Sequence, residues 1–158
     1  MIWMKFKLAG SEEGVVCVQV REVRWGDCDA AGIVYYARFF DWFTDGRIAL
    51  LKQIGLPYQQ FFHEQGVTVV AVEASCRYKK TLKPEEKYIL RTTLSYLGRT
   101  RMIFDYLITK PGENPGKAAG GRTTHAYVDA TGRPFDLKKK RPALWEKLLQ
   151  HAGLPENK

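Results

Sequence analysis

The sequence predicts an α+β domain in which an antiparallel sheet wraps one long helix, and three observations carry that prediction. Apolar residues recur at helical spacing over residues 39–54. Stretches after residue 67 alternate apolar and polar residues with the period of strands, and tight-turn residues separate them. A helix with one apolar stripe and a sheet with one apolar face bury both by packing together. At 158 residues the chain has the size of one domain that buries a core without disulfides or metal, so residues 1–158 are read as one unit with its core at about 15–137.

The first strand is VVCVQVREV, residues 15–23, where Val16, Val18 and Val20 alternate with Cys17, Gln19 and Arg21. Residues 25–43 follow as WGDCDAAGIVYYARFFDWF. Small residues that let a backbone bend come before aromatics at helical spacing, an order that delivers polar groups to a helix start. On the helix, Phe39, Trp42, Phe43, Gly46, Leu50 and Ile54 form the apolar stripe, while Asp41, Asp45 and Lys52 gather elsewhere. A mid-helix glycine costs about 1 kcal/mol against alanine, so Gly46 points to close packing where the helix crosses the sheet. The helix ends near Gly55, and PYQQFFHEQ forms a shorter helical segment stopped by Gly66.

In the next strand Val70, Val72, Ala74, Cys76 and Tyr78 are expected on the covered face, with Glu73, Ser75, Arg77 and Lys79 opposite. Tyr88, Leu90, Thr92, Leu94 and Tyr96 repeat the pattern, as do Met102, Phe104, Tyr106 and Ile108, and LGRT between them is a hairpin turn. PGENPG makes the next connection, RTTHAYVD is the last strand, and ATGRP is a turn. PALWEKLLQHAG closes the chain as a short amphipathic helix over about 141–152.

The formal net charge is +8, with basic residues concentrated in RYKKTLK, GRTR and RPFDLKKKR. Such an excess suits nucleic acid, a membrane surface or a phosphate-bearing small molecule, and equally a well-solvated surface. The three cysteines, Cys17, Cys28 and Cys76, are odd in number and lack paired spacing, which predicts reduced thiols. MIWMKFKL is too short for a secretory core and no later apolar run spans a bilayer, so a cytoplasmic protein without membrane attachment is expected. His63, His125 and His151 show no metal-ligand spacing, and no G-x-S-x-G turn occurs. Metallo-hydrolase and serine-hydrolase chemistry are therefore disfavoured, and no metal site is expected.

The loop before the helix suits acyl transfer. A helix N-terminus offers unpaired N–H groups and a favourable dipole to an oxyanion. No Ser, Thr, Asp or Asn lies between Gly32 and Phe40 to cap that terminus. A carboxylate beside such donors suits acyl transfer, as nucleophile or general base. Aspartates in a glycine-containing loop are also common turn residues, and the residues by themselves leave both roles open. Cys28 lies between two carboxylates that disfavour its thiolate, so it reads as a packed thiol. Asp41 and Asp45 share the polar stripe with Lys52 and read as solvated surface.

GDCDAAGIVYYARFF resembles the loop and helix start of the 4-hydroxybenzoyl-CoA thioesterases of the hotdog fold and of the acyl-CoA thioesterases related to them. EASCRYKKTLKPEE and GRTTHAYVDATGRP resemble that family's mid-chain strand and its last strand and turn, so the resemblance covers roughly residues 15–137. It implies thioester hydrolysis with Asp29 in the catalytic position, as nucleophile or general base. It gives Asp27 and Gly32 supporting roles and makes the backbone N–H of Tyr36 the group that polarises the thioester carbonyl. Ala30 stands where the closest family pattern has proline, which leaves the carboxylate in place. Arg99 and Arg101 resemble phosphate-binding positions, although Gly98 stands where another arginine is expected. Arg77, Lys79 and Lys80 are a second source of phosphate contacts.

Tyr35 and Trp42, with Tyr36 and Phe43, suggest a flat apolar cavity for the acyl group. The expected substrate is an aromatic acyl-CoA like 4-hydroxybenzoyl-CoA or 1,4-dihydroxy-2-naphthoyl-CoA. Coenzyme A is then part of the substrate, and no separate cofactor is expected. The family joins sheets edge to edge and builds its site between subunits, so a homodimer or homotetramer is implied. The rival reading is a hotdog protein that binds acyl-CoA or RNA without catalysis. RYKKTLK offers only Tyr78 for base stacking and KKKR offers none, which argues against nucleic acid. Hotdog dehydratases rely on a histidine near the helix start, and this loop has none.

Overall fold

A computed structural model describes residues 15–112 and 116–153. MIWMKFKL and the centre of PGENPG lie outside the described residues. Five strands, β1 (Val15–Glu22), β2 (Thr68–Tyr78), β3 (Lys87–Leu97), β4 (Arg101–Thr109) and β5 (Lys117–Val128), form one antiparallel sheet in the order β1-β3-β4-β5-β2. A 16-residue helix, α1 (Arg38–Gln53), packs on one face of that sheet. The predicted PYQQFFHEQ segment is α2 (Tyr58–Phe61) and a 3-10 turn (His63–Gln65), ended by Gly66. α3 (Leu137–Lys140) and α4 (Pro142–Ala152) follow the sheet.

The apolar stripe of α1 is what seats it. Phe39, Trp42, Phe43, Gly46, Leu50 and Leu51 are buried. Trp42 stacks on Tyr88 of β3, and Phe43 stacks on Tyr106 of β4, each pair with ring centroids 4.2 Å apart. Gly46 is the crossing point, because a Cβ there would lie 2.3 Å from Thr92 Oγ1 and 3.0 Å from Leu90 Cδ2. The helix gives up about 1 kcal/mol of propensity for that close approach.

Two β-bulges overturn part of the expected strand faces. Register shifts between Ala71 and Glu73, so Val69 opposite Tyr127 and Ala71 opposite His125 share the helix-facing side with Ala74, Cys76 and Tyr78. Val70 falls on the other side, and Val72 bulges out, 60% exposed. A second shift between Leu94 and Tyr96 brings Leu97, and not Tyr96, to the buried side opposite Met102. One extra residue reverses every side chain beyond it, which unbroken alternation does not register. β5 also starts earlier than RTTHAYVD, at Lys117. Its alanine and glycine residues have low strand propensity but leave room for the Phe43 ring over Gly121.

The direction of α1 sets the rest. Its first turns lie at the Tyr88 end of β3. Near its C-terminus, Gln53 Nε2 donates to the Val16 carbonyl of β1, whose neighbour Val15 pairs with Leu94. The 25–37 loop and the β3–β4 hairpin are therefore at opposite ends of the sheet. They are separated by the 11 residues of β3, about 30 Å at strand rise.

Candidate active site

The loop is built from short-range hydrogen bonds. Asp27 closes a 3-10 turn, its N–H donating to the Arg24 carbonyl at 3.0 Å while its Oδ2 accepts from the Arg24 N–H at 2.9 Å. Its carbonyl accepts from the Tyr35 N–H at 2.9 Å, and its Oδ1 lies 3.9 Å from Arg38 Nε. Cys28 bridges to Val34, and the Val34 N–H donates to the Leu82 carbonyl at 2.9 Å, which ties the loop to the chain after β2.

Asp29 sits at the turn of this small hairpin. Its N–H donates to the Ile33 carbonyl and its carbonyl accepts from the Gly32 N–H, both at 3.0 Å. Gly32 has φ +73°, the left-handed conformation that glycine adopts without strain. The Asp29 Oδ1 accepts from the Ala31 N–H at 2.8 Å, and no donor among the described residues reaches Oδ2. Both flanking carboxylates stay near Cys28, whose thiol is pushed up by desolvation first and then by Asp27 and Asp29. Cys28 is half-buried and packs against the core, the packed thiol the sequence predicts.

The chain then enters α1. Ala37 is the N-cap and carries no side-chain cap hydrogen bond, as the missing cap residues predict. The Arg38 N–H donates back to the Tyr35 carbonyl at 2.9 Å, while the Tyr36 N–H donates to no backbone carbonyl among the described residues. The Tyr78 hydroxyl holds the Tyr36 carbonyl at 3.0 Å. Tyr35 and Tyr36 are exposed with ring centroids 4.7 Å apart. Trp42 is buried among core rings, yet it reaches a cavity of about 660 Å³ beside Asp27. The rest of that cavity is largely charged and internally paired, Arg21 with Asp45 at 2.9 Å and Arg38 with Asp41 at 3.0 Å, and Asp29 is not in its lining.

Asp27, Asp29, Gly32, Tyr35 and Tyr36 are thus brought together, with Trp42 on the far side of Asp27. Arg99 and Arg101 are not. Both lie on the β3–β4 hairpin at the other end of the sheet, Arg99 in an ion pair with Asp136 and Arg101 over the Tyr96 ring at 5.6 Å. Of the second source, Arg77 lies on β2 opposite Gly120, and Lys79 and Lys80 sit where β2 ends, their N–H groups donating to the Ala118 carbonyl at 2.8 and 3.0 Å. That places them next to Tyr78 and the loop.

Sequence reasoning missed one polar cluster. Arg47 Nη1 lies 2.6 and 2.8 Å from the two ring nitrogens of His125, whose Nε2 is 2.8 Å from Thr123 Oγ1, which in turn is 2.8 Å from the Tyr106 hydroxyl. His125 is 2% exposed, and burial followed by the Arg47 charge holds its pKa down to about 4. The only signals in the chain were an arginine beside the apolar stripe of α1 and a histidine in the alternation of β5. Neither stands out without the other. Among the described residues no group of three His, Cys, Asp or Glu side chains gathers as metal ligands do, and no helix is long and apolar enough to cross a membrane.

Comparison with known proteins fits this geometry. The description "Thioesterase-like superfamily" matches residues 23–153. The chain belongs to that superfamily. Among its relatives, a Bacillus subtilis protein provisionally named acyl-CoA thioesterase YneP is 32% identical over 123 residues, covering 77% of this chain and 86% of that protein. A provisionally named esterase of Aquifex aeolicus is 32% identical over 108 residues, 68% of this chain and 81% of that one. The solved DHNA-CoA thioesterase of Staphylococcus aureus superposes with a TM-score of 0.75 at 23% identity, over 89% of this chain and 96% of that one. This last likeness speaks to the fold, which is the hotdog arrangement of the thioesterase superfamily.

Proposed function

We propose that this thioesterase-superfamily chain hydrolyses an aromatic acyl-CoA, with Asp29 as nucleophile or general base and the Tyr36 N–H as oxyanion donor. One observation carries the reading. An exposed carboxylate with one oxygen oriented by Ala31 and the other without a donor among the described residues stands in the same loop as an uncapped helix start whose Tyr36 N–H has no acceptor among those residues. A nucleophile or base needs such a lone pair, and a developing oxyanion needs such a donor.

In one route an Asp29 oxygen adds to the thioester carbonyl, the C–S bond breaks, coenzyme A leaves as thiolate, and water cleaves the acyl–aspartyl anhydride. In the other, Asp29 takes a proton from a water that attacks the same carbon. Both yield a carboxylic acid and free coenzyme A. Asp27 and Gly32 shape the loop, since the Asp27 carboxylate is spent on the Arg24 N–H and Gly32 makes the left-handed turn. The name of YneP supports an acyl-CoA substrate. The exposed Tyr35 and Tyr36 rings support a flat acyl group, of the hydroxybenzoyl or dihydroxynaphthoyl kind.

A second copy of the chain completes this reading. A hairpin about 30 Å from the loop along one sheet contacts the phosphates of a substrate held at Asp29 only if it belongs to another subunit. Both β1 and β2 are sheet edges, available for such pairing. The test is hydrolysis of hydroxybenzoyl-, dihydroxynaphthoyl- and straight-chain acyl-CoAs followed by free-thiol release. Aromatic substrates should give the higher kcat/KM, and the absence of turnover on any thioester overturns the reading.

A further inference from the structure

The Arg47–His125 cluster lines a second cavity of about 200 Å³ between α1 and β2. On the α1 side its wall is Phe40, Thr44 and Arg47, spaced at four and three residues along one face. On the sheet side it is the small Ala71 and Ala74, on either side of the β2 bulge, with Thr123 and His125 of β5 behind them. Both walls lead back to the helix start. On β2, Ala74, Cys76 and Tyr78 share a face, and the Tyr78 hydroxyl holds Tyr36. On α1, Arg47 is about 16 Å of helix from Tyr36, a gap its side chain shortens because long helical side chains point toward the N-terminus.

Arg47 is poorly satisfied where it sits. A guanidinium has five N–H donors and its charge is costly to desolvate without an anion. No carboxylate pairs with it among the described residues; its hydrogen-bonding neighbour is a histidine ring that offers a single lone pair when neutral, and Tyr106 and Tyr58 lie near enough to act on its charge. The residue is half-buried and lines the cavity, so donors that His125 does not engage can meet a ligand there. Thr44 and Thr123 add hydroxyls from the two opposite walls of the cavity.

We propose that this cavity is the end pocket of the acyl site and that Arg47 selects acyl groups carrying an anionic oxygen, as carboxylate or ionised phenol, at the end remote from the thioester. The proposal rests on the thioesterase reading for the position of the thioester. It adds a charged counterpart for the ligand's far end, and it turns the bulge at Val72 into the feature that opens the wall. Replacing the guanidinium removes the attraction for that oxygen while leaving the thioester end of the site in place.

The test separates binding from turnover by using non-hydrolysable analogues in which the thioester sulfur is attached through a phenacyl methylene. Affinities of the wild-type protein for phenacyl-CoA, 4-hydroxyphenacyl-CoA and 4-carboxyphenacyl-CoA are measured by calorimetry. At least one oxygen-bearing analogue should bind about tenfold or more tightly than phenacyl-CoA, and which one does names the source of the oxygen. Arg47→Met, with its fold checked by circular dichroism, should reduce that ratio to within about threefold. Equal wild-type affinities, or a preference that survives in Arg47→Met, overturn the proposal. Should Arg47→Met fail to fold, the wild-type ratios decide alone. Selective binding without hydrolysis of the matching thioesters would sink the proposed activity and leave the pocket assignment standing.

Discussion

The loop at the start of α1 and the cluster at its middle are both polar, but they are made differently. Every hydrogen bond that shapes Asp29 comes from within four residues of it, from Ala31, Gly32 and Ile33. Arg47 meets His125 across 78 positions of sequence, and only the β2–β5 pairing and the seating of α1 put them together. The loop exposes its carboxylate to solvent, whereas the cluster buries a base and leaves a cation without an acid among the described residues. Local chemistry is written contiguously, and long-range chemistry is written by topology.

The sharpest way to break this contrast is at the loop. Asp29→Asn keeps size and most hydrogen bonding but removes the charge, so kcat should fall about a hundredfold or more while substrate affinity stays within a few-fold. Asp27→Asn should lose less, because its carboxylate serves the Arg24 N–H and the turn. Rapid-quench labelling with an acyl-labelled substrate distinguishes an anhydride on Asp29 from the general-base route. Wild-type turnover by Asp29→Asn would move the reaction centre out of this loop.

A smaller effect is expected where α1 crosses the sheet between the two regions. Gly46→Ala should destabilise the protein by about 1–3 kcal/mol in urea unfolding, since the added Cβ meets Thr92 and Leu90. Helix propensity by itself predicts the opposite sign, a gain of about 1 kcal/mol. A stabilised variant would mean that the helix sits further from β3 than the ring stacking of Trp42 on Tyr88 implies.

These contrasts explain what the chain disclosed before folding. Helical period, strand alternation and turn residues are local, and they located α1, the sheet and the loop to within a few residues. The face of β2 was misread at Val70 and Val72, up to its bulge, and that of β3 beyond Leu94, because a bulge leaves no mark in an apolar–polar alternation. Arg99 resembled a phosphate contact by position in a motif, and its ion pair with Asp136 emerges only when the β3–β4 hairpin meets the segment before α3. The cluster at Arg47 was invisible for the same reason.

The buried base makes a prediction about acid. The folded pKa of His125 is held at about 4 against an ordinary value of 6.5, so its neutral form contributes stability above pH 6.5 that is lost as pH falls toward 4. Between pH 6.5 and 5 the melting temperature should drop by about 4 °C or so, and His125→Gln should flatten that slope. An unchanged slope in His125→Gln would show that the imidazole is charged in the native protein or that other groups set the acid response.

The smallest effects concern the phosphates, and they test whether the two ends of the sheet cooperate. Arg99→Ala with Arg101→Ala removes the distant hairpin cations, and Lys79→Ala with Lys80→Ala removes cations where β2 ends, close to the loop. If a second subunit brings its hairpin to the substrate, the arginine pair should raise KM for acyl-CoA by about three- to tenfold, with little change in kcat and little change for a truncated pantetheine thioester. The wild-type KM for acyl-CoA should then rise with ionic strength while that of the truncated substrate stays level, because exposed charge pairs are screened by salt. If the contacts are made within one subunit, the lysine pair should show that pattern and the arginine pair should not. In that case Arg99 is a structural residue whose loss costs about 1 kcal/mol or less of stability through its half-exposed pair with Asp136. Sedimentation of the wild type decides the same question independently. Full activity in a monomer would exclude any contribution from the far hairpin, since about 30 Å of β3 separates it from Asp29 in a single chain.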